Sequence, residues 1–257
     1  MNIDEVRAKL AVLRKQSEEQ PILCFTADID WASEYVIESM LLFFKSAGIP
    51  LTTFVTHESK VLNKAIASKE IAAEIHPNFM PDSSQGDSFD EVIDFCFSLI
   101  PDAVCFRSHR WFAANDVHEK LYAKGIRYAS NVCTNLEDIP PFLLRNRIIQ
   151  FPVFFEDGGY LFDGGRLNFS SVANKFTTGG LKIINVHPMH LAVNSPDTQF
   201  GRRIRTSLTR HEWNNLDESS LKKIHHNGRG IADFINDMVE YATKKKINTV
   251  FLHDFFI

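Results

Sequence analysis

The chain has 257 residues, of which 44% are apolar types and 23% are charged, and its formal net charge is −4. This length and apolar content suffice for one large core, so a single catalytic domain over residues 1–257 is expected. The acidic balance argues against nucleic-acid binding, which usually requires a basic surface. The charged residues 1–20 are not typical of a signal peptide. No apolar run approaches the roughly 20 residues that span a bilayer, so a cytoplasmic protein without an integral membrane segment is expected.

Apolar, β-branched runs alternate with segments of helical periodicity along the chain. Strands are predicted at residues 21–30, 51–57, 70–77, 103–109, 127–132, 147–157, 181–188 and 248–254. Helices are predicted at residues 33–47, 58–68, 88–100, 115–124 and 231–246. The polar stretch 189–228 predicts a long loop with little regular structure. The four cysteines form no C-x-x-C pair, which favours free thiols, mostly buried, in a reducing compartment.

The alternation of strands and helices predicts an α/β fold with a parallel sheet covered by helices. About eight strands in one domain favour a closed or nearly closed β/α barrel, and an open doubly wound sheet is the alternative. In both architectures the functional site lies at the carboxyl ends of the strands.

Most of the predicted strands end in a side chain that can bind a metal ion or transfer a proton. In chain order these residues are Asp28, Asp30, His57, His76, Arg107, His109, His187, His253 and Asp254. One histidine alone would more often be structural, but strand bodies are otherwise apolar, so the joint pattern indicates a site. In an extended strand Asp28 and Asp30 point to the same side, where a cation would relieve their repulsion. One could then bind the metal while the other acts as a base.

Four short motifs in this order resemble those of the polysaccharide deacetylase family, the carbohydrate esterases related to the nodulation chitooligosaccharide deacetylases. They are T-A-D-I-D at 26–30, E-I-H-P-N at 74–78, F-R-S-H at 106–109 and N-V-H-P at 185–188. The set is especially similar to a subgroup of deacetylases from bacterial O-antigen clusters. The resemblance implies an irregular (β/α)7–8 barrel and removal of an N-acetyl group from a sugar. It also implies one divalent metal ion, usually zinc.

The resemblance also implies roles for individual residues. Asp30 and His76 would bind the metal, which activates water for attack on the amide. Asp28, kept ionised by Arg107, would accept the proton of that water, and His187 would protonate the leaving amine.

Two positions depart from the family pattern. Met80 stands where the family has a second metal-binding histidine, so His109 is the first candidate for that ligand, followed by His190 and Asn78. Ala129 stands where an acid often orients the catalytic histidine, and alanine cannot perform that function.

Several residues are candidates for substrate binding. Trp31 and Trp111 follow strand ends and could stack on a sugar ring, or they could belong to the core. Asn78 and His190 could contact substrate, and a backbone N–H near Asn78 could stabilise the oxyanion. The basic run 201–210 is either a solvated surface or a clamp for an anionic sugar.

Three functions are consistent with these observations. The first is deacetylation of an N-acetylated sugar in surface polysaccharide (O-antigen) synthesis, with nucleotide-linked and lipid-linked sugars among the candidate substrates. The second is hydrolysis of a small cyclic imide or amide, which a small covered pocket would favour. The third is sugar binding by a relative that has lost catalysis.

Overall fold

The computed structural model describes residues 3–257, which form an α/β structure around one curled sheet. The strands are β1 Pro21–Asp28, β2 Leu51–Val55, β3 Ala72–Ile75, β4 Cys105–Phe106, β5 Tyr128–Ala129, β6 Phe142–Leu143, β7 Ile149–Gln150, β8 Val153–Glu156, β9 Gly180–Val186 and β10 Asn248–Thr249. The helices are α1 Ile3–Glu18, α2 Glu34–Ser46, α3 Lys60–Ala67, α4 Phe89–Leu99, α5 Asn115–Ala123, α6 Asp157–Phe162, α7 Pro188–Val193, α8 Thr198–Ser207, α9 Arg210–Asn214, α10 Glu218–Ile224 and α11 Ile231–Lys245.

The sheet has the winding of a barrel. Its strand order is β6-β7-β5-β4-β3-β2-β1-β9-β8, with β10 paired to β1, and only the β6–β7 pair is antiparallel. Because β1 to β5 follow one another in a single direction, the doubly wound alternative is wrong. Val153 N donates to the carbonyl of Val132, and Thr134 N donates to the carbonyl of Val153, so the chain beyond β5 is connected to β8. The prediction of an irregular β/α barrel is therefore confirmed.

Side chains alternate across the central strand β1 and fill two layers. Phe25 and Ala27 pack toward the outer helices, where α2 and α11 bury apolar faces. Cys24 points the other way, into an apolar cluster with Phe54 and Cys105. Thr26 and Asp28 are on the same side of β1 as Cys24, because side chains alternate with a period of two. The barrel interior is therefore apolar at one end and polar at the carboxyl end of the strands.

The cysteines are free thiols throughout the described residues. Three of them, Cys24, Cys96 and Cys105, are buried, and Cys133 is half-buried. Burial raises the pKa of the Cys24 and Cys96 thiols, so neither is a reactive thiolate at neutral pH. Among residues 3–257 there is no helix with the length and hydropathy needed to cross a bilayer.

The prediction of a long loop at 189–228 is wrong, because this stretch contains α7 to α10. Asp197 and Asp217 accept hydrogen bonds from the first turns of α8 and α10, and Thr209 and Glu212 form a capping box on α9. Each of these helices has between five and ten residues. The stretch is rich in polar and charged residues, and few apolar positions mark a helical period in it, so the sequence pattern did not predict these helices.

The prediction of a strand at residues 248–254 is also mostly wrong. Only Asn248–Thr249 pairs with β1, and Leu252–Phe255 is a 3-10 helix. His253 and Asp254 lie about half exposed on that helix, with side-chain exposures of 51% and 47%. These two residues are therefore not part of a strand-end site.

Candidate active site

A cavity of about 470 Å³ lies at the carboxyl ends of the strands. Its wall has two parts. The first we call the strand-end cluster, which consists of the polar residues Asp28, Asp30, His76, Arg107, His109, Asn185 and His187. The second we call the helical rim, which consists of residues 188–214 with α7, α8 and α9. Asp30, His109 and His187 reach the cavity from the cluster, and Arg202, Arg205 and Trp213 reach it from the rim.

Arg107 and Asp28 form a buried ion pair at the base of the cluster. Asp28 ends β1, and its Oδ1 lies 2.8 Å from Arg107 Nη1. The other oxygen, Oδ2, accepts a hydrogen bond of 2.9 Å from Asn185 Nδ2. The Arg107 side chain is 0% exposed, and it also donates to the hydroxyl of Thr26 and to the backbone carbonyl and hydroxyl of Ser130. This network fixes the Asp28 carboxylate in one orientation.

Asp30 enters the cluster through a turn rather than through strand alternation. β1 ends at Asp28, and Asp30 and Trp31 have φ values of 43° and 54°. Left-handed backbone of this kind costs about 1–3 kcal/mol for a residue other than glycine. A hydrogen bond of 3.1 Å from Trp31 N to Thr56 Oγ1 holds the turn. The two carboxylates therefore converge as expected, but the extended geometry predicted for residues 28–30 is wrong.

Two histidines converge on Asp30. His76 Nε2 lies 3.3 Å from Asp30 Oδ1, and His109 Nδ1 lies 3.0 Å from the same oxygen. One ligand atom from each of these residues lies within 4.8 Å of the others. Burial raises the pKa of Asp30, but hydrogen bonds from His109 and His76 outweigh it and hold this pKa well below its usual range. One carboxylate and two imidazoles are a donor set typical of a catalytic zinc site with an open position.

His187 lies across the cluster from this group and is held by Asp157. The distance from His187 Nδ1 to Asp157 Oδ1 is 2.6 Å, and the His187 backbone N–H donates to Asp157 Oδ2 at 2.7 Å. The other ring nitrogen, Nε2, lies 3.7 Å from Asp30 Oδ2 and 3.9 Å from Asp28 Oδ2. Burial lowers the pKa of His187, but the charge of Asp157 outweighs it, so the pKa lies well above its usual value. Asp157 therefore favours the protonated form of the His187 ring.

Asp157 is therefore the acid that orients His187. It follows β8, whereas Ala129, the position where the family often has this acid, lies in β5. Ala129 in β5 packs in an apolar cluster with Ile75 and Phe106, away from the cavity. The expectation that Ala129 deprives the histidine of its partner is wrong. The signal for Asp157 was present in the sequence, because F-F-E-D ends a predicted strand in two acids.

Glu156 is the second acid beside His187 and caps α6. Its carboxylate accepts hydrogen bonds from the backbone N–H groups of Gly158 and Gly159. Burial raises the pKa of Glu156 to about 7, although the charge of His187 lowers it. The carboxylate lies 3.4 Å from His187 Nδ1, compared with 2.6 Å for Asp157, so Asp157 is the closer partner.

Three of the four residues predicted to bind substrate line the cavity. Trp31 does so with its ring edge-on to His109, at a centroid distance of 5.3 Å. His190 does so with Nδ1 3.0 Å from Ser195 Oγ. Asn78 also lines the cavity, but its backbone N–H donates to the Gln85 side chain at 2.6 Å. The N–H of Asn78 itself is therefore engaged within the protein and is not available to an oxyanion.

Trp111 does not line the cavity. It is half-buried, packs on the apolar cluster of the barrel interior, and its ring centroid lies 5.8 Å from the Arg107 guanidinium carbon. Its position agrees with the prediction that Trp111 belongs to the core and not with the prediction that it stacks on a sugar ring. His57, at the end of β2, is also outside the cavity lining and lies 2.9 Å from Thr56 Oγ1.

The fold is similar to that of solved polysaccharide deacetylases. A structure from Bordetella bronchiseptica, assigned as a polysaccharide deacetylase involved in O-antigen biosynthesis (WbmS), matches with a TM-score of 0.74 and 20% identity over 85% of this chain and 89% of that one. The Bc1960 peptidoglycan N-acetylglucosamine deacetylase matches with a TM-score of 0.51 and 12% identity over 93% of this chain and 89% of that one. Puue allantoinase matches with a TM-score of 0.52 and 12% identity over 91% and 88%, respectively.

The family is shown by the sequence as well. The model of the WbmS-like polysaccharide deacetylases matches residues 25–205, which include the strand-end cluster and most of the helical rim. The chain belongs to this polysaccharide deacetylase family. A comparison with curated proteins gave no match.

Proposed function

We propose that this protein is a metal-dependent hydrolase that removes the acetyl group from an N-acetylated sugar. The substrate in this proposal is attached to a nucleotide or lipid carrier and is an intermediate of bacterial surface polysaccharide (O-antigen) synthesis in the cytoplasm. One observation carries the proposal. A fixed carboxylate, Asp28, and a histidine held by Asp157, His187, face each other at 3.9 Å beside the Asp30–His76–His109 group.

We propose that Asp30, His76 and His109 hold one divalent ion, and that this ion is zinc. Their donor set fits zinc, and a bound ion would supply a Lewis acid and lower the pKa of water toward about 7. Asp157, His187 and His190 also lie close enough together to hold a metal. We place the ion in the first group because Asp157 already engages both the ring and the backbone of His187.

The protein's own residues then supply the proton transfers. Asp28 accepts the proton of the attacking water, and Arg107 and Asn185 hold its carboxylate in place. His187 donates the proton on Nε2 to the amide nitrogen as the C–N bond breaks. Asp157 stabilises the imidazolium before that transfer. The products are acetate and the free amine of the sugar, so oxygen, nitrogen and protons balance.

The metal is tested first. Purified wild-type protein should contain about one divalent ion per chain after equilibration with zinc. Asp30→Ala and His76→Ala should lower that content, whereas Asp28→Asn should retain it. Elemental analysis together with anomalous scattering measures both content and position. Absence of an ion at Asp30 in zinc-soaked crystals would contradict the metal assignment.

Acetate release tests the chemistry. Asp28→Asn and His187→Ala should each lower kcat about 10²–10⁴-fold with little change in affinity, because general acid–base groups act in the transition state. The assay measures acetate from a panel of nucleotide-linked, lipid-linked and oligomeric N-acetyl sugars. An Asp28→Asn enzyme with wild-type acetate release would refute its role as the base.

A second candidate is hydrolysis of a small cyclic imide or amide. The observation in its favour is the confined cavity of about 470 Å³, which α8 and α9 cover on one side. Hydantoin and dihydrouracil in the same panel distinguish the two functions. Ring opening of either compound without acetate release from any sugar would favour the second candidate.

A further inference from the structure

Three arginines of the helical rim line the same cavity as the strand-end cluster. Arg202 and Arg205 project from α8, and Arg210 is the first residue of α9. Their cavity also contains Asp30 and His187, the residues placed above at the reacting amide. A ligand in the cavity therefore meets the catalytic residues on one side and guanidinium groups on the other.

Packing holds α8 close to His190 and connects Arg205 to Asp30. A Cβ added at Gly201 would lie 3.3 Å from the ring of His190, so glycine at this position allows α8 to approach the histidine closely. The Arg205 guanidinium lies over the ring of Trp213 at 5.2 Å. Trp213 in turn donates from its indole Nε1 to the backbone carbonyl of Asp30 at 3.4 Å. The rim and the proposed metal site are thereby connected through one aromatic side chain.

The charges of these arginines are not neutralised within the protein. Across residues 3–257, no carboxylate lies within ion-pair distance of Arg202, Arg205 or Arg210. The cavity also contains two carboxylates, those of Asp82 and Asp30, and Asp30 is already paired with histidines. Three guanidinium groups on one side of a cavity thus lack a counter-charge. Planar guanidinium groups donate two parallel hydrogen bonds to a phosphate, which makes phosphate the matching ligand.

We propose that Arg202, Arg205 and Arg210 bind the diphosphate through which the N-acetylated sugar is attached to its carrier. This proposal rests on the proposed deacetylase function and assigns the carrier end of the substrate to the helical rim. A diphosphate carries negative charge on both of its phosphates, and three arginines can neutralise it. The volume of about 470 Å³ suits a small ligand, such as one sugar with its diphosphate, rather than a long polysaccharide segment.

Arg203 provides a matched control on the same helix. It is exposed, it does not line the cavity, and its guanidinium carbon lies 5.9 Å from the ring centroid of Phe200. Arg203→Gln removes the same charge from α8 as Arg202→Gln or Arg205→Gln does. It therefore reports the effect of net charge separately from the effect of the cavity.

The test is isothermal titration calorimetry of the zinc-loaded full-length protein with inorganic diphosphate and with UDP-N-acetylglucosamine. Arg202→Gln and Arg205→Gln should each raise the Kd for inorganic diphosphate roughly 10- to 100-fold, because hydrogen bonds between charged partners are lost. Arg203→Gln should raise it less than roughly 3-fold, because a surface charge away from the ligand is screened by salt. Circular dichroism confirms that each variant is folded.

The outcomes separate this proposal from the proposed function. No binding of diphosphate to the wild type, or an equal loss in Arg203→Gln, overturns the arginine site while acetate release from sugars can stand. Diphosphate binding that depends on Arg202 and Arg205 supports the site even if no sugar in the panel releases acetate. Comparing UDP-N-acetylglucosamine with a detergent-solubilised polyprenyl diphosphate N-acetylglucosamine then identifies the carrier. Whichever compound binds more weakly to Arg202→Gln than to the wild type is a ligand of this site.

Discussion

The two walls of the cavity differ in the burial and the pairing of their charged side chains. In the strand-end cluster, the ion pair of Arg107 and Asp28 is buried, and Arg107 also donates to Thr26 and Ser130. In the helical rim, Arg202 is exposed and has no carboxylate partner within residues 3–257. In the cluster, hydrogen bonds between protein groups fix the positions of the Arg107 and Asp28 side chains. In the rim, the arginines have no carboxylate partner within residues 3–257, so their charges are available to a ligand. We therefore expect substitutions in the cluster to affect folding and turnover, and substitutions in the rim to affect binding.

The largest expected effect is on stability and concerns the two kinds of arginine. Arg107→Met should lower the free energy of unfolding by about 3–5 kcal/mol, because it leaves Asp28 charged and buried without its partner. Arg203→Met in the rim should change it by less than about 0.5 kcal/mol, because the side chain is exposed. Urea denaturation measures both variants. Equal losses in the two variants would show that the comparison between the walls is wrong.

The second expected effect concerns the acid that holds His187. Asp157→Asn should lower kcat by about 10- to 100-fold, because the ring loses the carboxylate that orients it and stabilises its charge. The charge of Asp157 raises the pKa of His187, so the wild-type histidine keeps its proton to a higher pH. In Asp157→Asn that pKa falls, and the alkaline limb of the pH–kcat profile should move to lower pH.

Glu156→Gln is the matched comparison for this shift. Glu156 is farther from His187 Nδ1 than Asp157 is, at 3.4 Å against 2.6 Å, so its removal should move the alkaline limb less. Measurement of kcat between pH 5 and pH 10 for the wild type and both variants compares the two acids. A larger shift in Glu156→Gln than in Asp157→Asn would assign the orienting role to the other acid.

The smallest expected effect concerns Trp213, which contacts Asp30 of the cluster and Arg205 of the rim. Trp213→Phe removes the long hydrogen bond to the Asp30 carbonyl but keeps a ring beneath Arg205. A neutral hydrogen bond contributes about 0.5–1.5 kcal/mol, so KM should rise by no more than roughly 10-fold while kcat is nearly retained. Trp213→Ala also removes the ring and should raise KM further. Steady-state kinetics on the best substrate of the panel decides this, and a loss of kcat in Trp213→Phe would place Trp213 among the groups that support turnover.

The sequence by itself determined the barrel and most members of the strand-end cluster, although it also included His57, His253 and Asp254, which lie outside the site. Strands in a parallel barrel are short, apolar and evenly separated by helices, so their ends can be located from local patterns. Because all parallel strands end at the same edge, Asp28, His76, Arg107 and His187 were predicted to be neighbours although they are distant in sequence. The structure brings these four residues together, as that argument requires.

Only the tertiary structure decided which partners these residues have. The pairing of Asp157 with His187 depends on how β8 lies beside β9. The sequence pattern had instead placed the orienting acid at the position of Ala129 in β5. The turn at Asp30 depends on a hydrogen bond that Trp31 N donates to the hydroxyl of Thr56, just beyond β2. The helical rim depends on caps and on packing over the cavity, because its polar segments contain few apolar residues that would indicate a helix. Local propensity acts on neighbours in sequence, whereas these contacts form between segments that only the folded barrel brings together.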